Sequence, residues 1–286
     1  MKKIAMYLIA AAALCNNNIA FSGSMSSTSS ESNWSGFYLG GNAGYWTSQV
    51  NRVVTTASPS YINPTFSYGA SNIANALAQM LANHVSLDSY GFIGGGQVGY
   101  NYQYSRRVLL GLDIALDGLT NSNNTYALQK TVNLVDFDEE YVGALAIKQS
   151  INYLGTVSTR LGYLYRPTFL VYGTGGFAYG NVTLNTAWLT NESLGSAVYP
   201  TIATQNNVSQ TAFGWTTGGG VEWLFKPNFS AKIEYIYYCL NNLNTSVTFT
   251  QTQISSGSAI PWASAIANTA LSVAVGTIRV GINYHF

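Results

Sequence analysis

Eight segments of this chain alternate apolar and polar residues, and every charge inside them falls on the polar phase. "VLLGLDIALDGL" (108–119) sets Val108, Leu110, Leu112, Ile114 and Leu116 against Asp113 and Asp117. In "SINYLGTVSTRLGYLY" (150–165), Ile151, Tyr153, Val157, Leu161, Tyr163 and Tyr165 oppose Asn152, Thr156, Ser158 and Arg160. "FGWTTGGGVEWLF" (213–225) places Glu222 opposite Phe213, Trp215, Val221, Trp223 and Phe225. "FSAKIEYIYYCL" (229–240) places Lys232 and Glu234 opposite Phe229, Ile233, Tyr235 and Tyr237. The final segment, from near Leu271, sets Arg279 against Ile278, Val280, Ile282, Tyr284 and Phe286. Segments 36–46, 91–104 and 169–181 complete the series. Side chains of a strand alternate between its two faces. Seven charges on one phase would arise by chance on the order of once in a hundred cases, whereas a Lys or Arg facing mid-membrane lipid would cost about 2–4 kcal/mol.

Composition narrows what such strands build. Hydrophobic residues make up 47% of the chain and charged ones only 8%, against about 25% charged in ordinary soluble domains. Beyond residue 22 no apolar run approaches the ~18 residues that mark a spanning helix. A closed barrel is the remaining way to cross a bilayer, because it leaves no backbone group unpaired in lipid. The formal net charge is +1 and there is no Lys/Arg run, which excludes nucleic acid as a partner.

The N-terminus carries Lys2 and Lys3, an apolar run from Ile4 to Cys15, and small residues at Ala20 and Ser22. This is the pattern of a cleaved export signal over residues 1–22. Leu14 stands before Cys15 where a lipoprotein signal needs a small residue. Cleavage after Ser22 leaves Cys239 as the single thiol, so no internal disulfide is expected. Residues 23–33 read as a flexible lead-in and 34–286 as the barrel.

The connections alternate in length. "SRR", "RPT" and "KPN" join three pairs of segments, while 47–90, 120–149, 182–209 and 241–270 are long. Outer-membrane barrels place short turns in the periplasm and long loops outside. The expectation is therefore an all-β, antiparallel up-and-down transmembrane barrel of eight strands with four long extracellular loops. Ten strands is the alternative, if "QKTVNLVDF" and "VTFTQTQI" pair as an extra hairpin instead of extending existing ones. Aromatics gather on the outward phase at the short-turn ends: Phe37, Tyr102, Tyr104, Tyr163, Tyr165, Phe169, Trp223, Phe225, Phe229, Tyr284 and Phe286. They read as a periplasmic girdle. Within the first long connection, "NIANALAQMLANH" (72–84) has the helical spacing of Ile73, Ala76, Leu77, Met80 and Leu81. The acidic cluster Asp136, Asp138, Glu139 and Glu140 reads as a solvated loop, with a weak divalent-cation or partner contact as the other reading.

The polar phase is expected to form an ion-pair network inside the barrel: Asp113, Asp117, Arg160, Glu222, Lys232, Glu234 and Arg279. Strand adjacency suggests the pairs Glu222–Lys232, Arg160–Asp113 and Arg279–Glu234. Eight strands leave an interior just wide enough for side chains to fill. The alternative is a charged lining for a narrow conductive path.

Two patterns invite enzymatic readings. "GGGQVG" (94–99) fits G-x-G-x-x-G, but the residues after it continue a strand, where a dinucleotide site needs a turn into a helix. His84, Ser86 and Asp88 lie close in sequence, yet a nucleophilic triad must converge in space. The two histidines and Cys239 offer no zinc ligand cluster. No catalytic residue, cofactor or metal is expected.

"WSGFYLGGNAGYW", "YLGTVSTRLGYLY", "VYGTGGFAYGN", "GWTTGGGVEWLF", "AKIEYIYY" and "IRVGINYHF" resemble the opacity-type and small-porin-like outer-membrane β-barrels of Gram-negative bacteria, relatives of the OmpA transmembrane domain. The resemblance covers the strands of essentially the whole mature chain but not the long connections. It implies an outer-membrane address, contact with lipid and lipopolysaccharide, and a non-enzymatic structural, adhesin-like or antigenic role, with host or envelope ligands at the outer loops. A small porin is the alternative, and a lipid-modifying enzyme a more distant one. It also implies that Ile278, Val280, Ile282, Tyr284 and Phe286 form the insertion signal read by the barrel-assembly machinery. The final strand is expected to close the barrel against the first, near Phe37–Trp46.

Overall fold

The computed structural model describes residues 34–120, 125–134, 139–194, 197–198, 202–255 and 258–286. The expected export signal, the lead-in at 23–33, and Asp136 and Asp138 of the acidic cluster lie outside the described residues. The strands are β1 (Gly36–Ile62), β2 (Asn83–Gln103), β3 (Val108–Leu119), β4 (Thr125–Leu134) and β5 (Glu139–Arg166). They continue as β6 (Phe169–Leu194), β7 (Ala197–Val198), β8 (Ile202–Lys226), β9 (Phe229–Ser255) and β10 (Ser258–His285). A 3-10 turn at Pro64–Phe66 leads into helix α1 (Ser67–Leu81).

All pairings are antiparallel, and eight strands form a ring in the order β1, β2, β3, β5, β6, β8, β9, β10 and back to β1. At the seam, Tyr38 stands opposite His285 and Trp46 opposite Thr277. The Phe286 amide donates to the Phe37 carbonyl at 3.0 Å. Gly36 there has φ 143°, and a Cβ would sit 3.1 Å from the Phe286 carbonyl oxygen, so the seam favours glycine on both counts. Closure leaves the ring without a free edge in the membrane. β4 pairs only with the upper part of β5 and takes the third place in the wall above β3. "VTFTQTQI" belongs to β9 itself, so the ring stays at eight.

The long connections are themselves largely wall. β5 runs 28 residues, which at about 3.3 Å per residue and a tilt of about 40° rises on the order of 70 Å, against an apolar band of about 25 Å. The hairpins therefore continue as paired strands well beyond the lipid. Above the band the outward residues turn polar, including Asn152, Ser209, Thr248 and Asn268, while Ile147, Leu184 and Phe249 point inward.

Bulges adjust the phase on the way up. Register shifts fall between Gln49 and Val53 in β1, between Ile151 and Tyr153 in β5, and opposite Leu271–Val273 in β9. One extra residue exchanges the faces of a strand. Ile151, expected outward from alternation alone, is consequently buried inside. Above the shift Ile147, Gln149 and Ile151 face in; below it Leu154, Thr156, Ser158 and Arg160 do.

Helix α1 occupies the upper interior. Ile73, Leu77, Met80 and Leu81 are buried in one cluster with Ile147, Leu184 and Phe249 of the wall. Ala263, Ala265 and Ala267 on β10 belong to the same cluster, and their small side chains leave the width that a helix needs. Lys130 of β4 donates to the Gln79 carbonyl at 2.6 Å.

Candidate functional site: the filled lumen and the outer wall

The interior consists of three stacked layers, built from inward positions of the ring strands together with Trp34 below and helix α1 above. At the short-turn end lies an apolar layer in which Trp34 is buried with Leu109, Leu164, Leu170, Leu224 and Tyr172. The Trp34 indole donates to the Pro167 carbonyl at 2.7 Å and meets the His285 ring edge-on at 5.5 Å. It spans the bottom of the lumen from the chain segment just before β1. Alternation could not reveal this residue, because it precedes the first strand; its only sequence signal is an aromatic residue directly ahead of the alternating run.

The middle layer is polar. Asp113, Asp117, Arg160, Glu222, Lys232, Glu234 and Arg279 all point inward and are buried. Arg160 donates to Glu222 at 2.9 Å, and its guanidinium lies 4.1 Å from the Tyr172 ring centroid. Glu222 also accepts from Ser230 at 2.5 Å and Asn283 at 2.6 Å. Gln97 donates to Asn283 at 2.7 Å and accepts from Lys232, whose ammonium meets Glu234 at 2.6 Å. Glu234 further accepts from Tyr172 at 2.7 Å and from Arg279 at 2.9 Å. Arg279 also reaches Asp117, which accepts from Asn42 at 2.9 Å. Asp113 accepts from the Tyr38 hydroxyl at 2.5 Å.

This network links all eight ring strands, and its pairing differs from strand adjacency. Arg279–Glu234 forms as adjacency suggests. Glu222 and Lys232 are register partners, yet Glu222 is taken by Arg160 and Lys232 by Glu234 and Gln97. Asp113 holds Tyr38 in place of Arg160. The reason is the narrow bore: long side chains on a tilted wall meet partners across the lumen as readily as those on the next strand. A cavity of about 10 Å³ bordered by Asp113, Arg160, Tyr172, Glu234 and Arg279 is roughly the size of one water.

The glycine run "GGGQVG" sits mid-strand in β2. A Cβ at Gly95 would fall 2.4 Å from the Asp117 carboxylate, and one at Gly99 would fall 2.4 Å from the Tyr38 ring. These glycines give the network its room. The upper layer is the helix and its apolar shell; a cavity of about 40 Å³ there is bordered by Leu81, Ile147, Leu184, Val247 and Phe249 with Thr55 among its polar rim.

The outer wall carries two aromatic belts. Phe37, Tyr102, Tyr163, Tyr165, Trp223, Phe225 and Phe229 are exposed at the short-turn end, and Phe169 is half-buried. Ile278, Val280, Ile282, Tyr284 and Phe286 form an exposed row on the same face of β10. A second, higher belt, not anticipated from sequence, includes Tyr45, Phe92, Phe177, Phe213 and Trp215. Phe37 and Tyr45, Phe169 and Phe177, and Trp215 and Trp223 are each eight residues apart, a vertical separation of about 20 Å that suits the lipid band. Above it an uncharged ladder begins, in which Asn152 donates to Asn181 at 2.6 Å and Asn181 to Ser209 at 3.0 Å.

His84 and Ser86 belong to β2, but their side chains lie outside the described residues; Asp88 is exposed. No group of three metal-ligating side chains converges among the described residues.

Residues 19–286 match the family model for the outer membrane protein beta-barrel domain. The 31 kDa outer-membrane immunogenic protein of Brucella melitensis is 27% identical over 256 residues, 88% of this chain and 84% of that protein. The 22 kDa outer membrane protein of Rhizobium leguminosarum bv. viciae is 28% identical over 151 residues, 52% of this chain and 53% of that protein. Among solved structures, Neisserial surface protein A aligns at 15% identity over 88% of this chain and 98% of that chain, with a TM-score of 0.37.

Proposed function

The chain belongs to the outer membrane protein β-barrel domain family, and from that premise we propose that it is a non-conducting, non-enzymatic surface protein that presents a tall extracellular barrel to ligands or antibodies. The observation that carries this reading is the lumen filling: Trp34 below, the ion-pair network in the middle and α1 above occupy the bore in succession. A solute path through the bore would need all three of these layers to open. The wall beyond the lipid offers an exterior rich in Ser, Thr and Asn, including Asn152, Ser209, Thr248 and Asn268. A role as surface antigen accords with the Brucella relative, which is named an immunogenic protein of the outer membrane.

Planar-bilayer recording of the refolded protein tests the first half of this reading. Silence is the expected result; stable stepwise conductance in the wild type would replace it with the small-channel reading. The second half is tested in a Cys239→Ser background by placing cysteines at Asn207 and Thr248 and labelling intact cells with a membrane-impermeant maleimide. Both sites label, whereas a cysteine at Val280 does not.

The exposed row ending in Phe286 serves as the signal offered to the barrel-assembly machinery, and lipopolysaccharide surrounds the upper belt. Deleting Phe286 lowers the inserted fraction, and normal insertion of the deletion mutant would remove that role.

A further inference from the structure

Charge is unevenly divided between the two ends of the barrel. The long hairpins at 47–90, 120–149, 182–209 and 241–270 hold six acidic residues and three basic ones. The three short turns hold Arg106, Arg107, Arg166 and Lys226, all exposed, and no Asp or Glu. These turns join β2 to β3, β5 to β6 and β8 to β9, so the cations encircle the rim except at the β10–β1 seam.

Two of these side chains lean outward against lipid-facing rings. Arg107 donates to the Tyr163 hydroxyl at 3.2 Å, and the Arg166 guanidinium lies 5.9 Å from the Tyr165 ring centroid. Both tyrosines belong to the exposed, lipid-facing row. Lys226 sits between Phe225 and Phe229, whose rings neighbour one another at 6.3 Å. The lumen mouth, by contrast, is filled by Trp34 and its leucines. Interfacial aromatics sit at headgroup depth, so cations laid against them stand at the level of lipid phosphates. Guanidinium groups suit that chemistry, since their donors match phosphate oxygens in a fork.

We propose that Arg106, Arg107, Arg166 and Lys226 form a basic rim that binds the anionic phosphodiester headgroups of phospholipids in the periplasmic leaflet. The turns are held firmly enough to aim it. The Arg107 carbonyl accepts from the Leu164 amide at 2.8 Å, the Thr168 carbonyl from Leu224 at 2.9 Å, and the Asn228 carbonyl from His285 at 2.8 Å. Each turn is thereby tied to the next strand of the ring. The rim selects lipids by charge around the wall, in place of one enclosed pocket, and it anchors the barrel's depth from below.

The test reconstitutes the full chain in phosphatidylcholine bilayers and compares spin-labelled phosphatidylglycerol with spin-labelled phosphatidylcholine in the motionally restricted shell. Phosphatidylglycerol is favoured about two- to fivefold at low salt, and the preference fades at high salt. The R106Q/R107Q/R166Q/K226Q variant, with its heat-dependent gel shift intact, loses the preference, whereas K130Q/K148Q at the far end retains it. Should the quadruple variant fail to insert, R106Q/R107Q alone lowers the preference partway. No preference in the wild type overturns the proposal, as does a preference that survives removal of the rim or vanishes with Lys130 and Lys148. Inorganic phosphate at matched ionic strength displaces the lipid no better than chloride; selective displacement would assign the rim to a soluble anion and overturn the lipid reading.

Discussion

The lower and upper halves of this barrel share one wall but invert its polarity. In the lipid band, Ile278, Val280 and Ile282 face out while Arg279 and Asn283 face in. In the upper half, Thr248 and Asn268 face out while Phe249 and Ala267 face in. The backbone ladder is the same in both, because unpaired amides are costly in lipid and in a packed interior alike. Only the solvent changes. Lipid leaves the lower lumen as the place for polar groups, whereas water outside the upper wall lets apolar side chains collapse inward around α1. The bulges near Gln49, Ile151 and Leu240 mark where three strands exchange faces, and in doing so they convert one kind of barrel into the other.

Breaking each half by its own rule should give different penalties. Replacing Arg160 with Ala leaves Glu222 fully buried with its cation gone, and the expected loss is about 3–5 kcal/mol, read as a lower urea midpoint in micelles. Leu77→Ala empties part of the upper core and should destabilise by about 2–5 kcal/mol. Its damage is local: hydrogen exchange quickens in upper β5 and β9 and stays slow in β3, and uniform loosening of both would count against two separately packed halves. Val280→Arg puts a charge on the lipid-facing wall and should lower stability by about 2–4 kcal/mol. Thr248→Arg makes the same change on the upper exterior and should stay within about 0.5 kcal/mol. Equal effects from the last two would falsify the assignment of the upper wall to water. Each variant is checked by its unheated gel mobility and its unfolding midpoint.

Much of this was legible in the chain because period-two alternation is a local signal. Asp113, Asp117, Glu222, Lys232 and Glu234 declare their face through their immediate neighbours, and the tail from Ile278 to Phe286 does the same. The bulge before Tyr153 was not legible, since one extra residue in a strand leaves no compositional mark. The long hairpins read as loops because their Ser, Thr and Asn content resembles turn chemistry, and only pairing with a neighbour makes them wall. The helical spacing at 72–84 declared a helix, yet its place inside the upper barrel depends on alanines at 263, 265 and 267, nearly two hundred residues away. Trp34 had no pattern to belong to.

By itself, then, the sequence determined a closed barrel and the polar character of its lower lumen, since each follows from alternation and from where charge is affordable. The choice of eight ring strands over ten waited for the pairing of the long hairpins. The tertiary structure alone decided that Arg160 pairs with Glu222, that α1 fills the upper bore and that Trp34 seals the lower one. Those choices arise between residues distant in the chain, where the width of the ring and the tilt of its strands set who can meet.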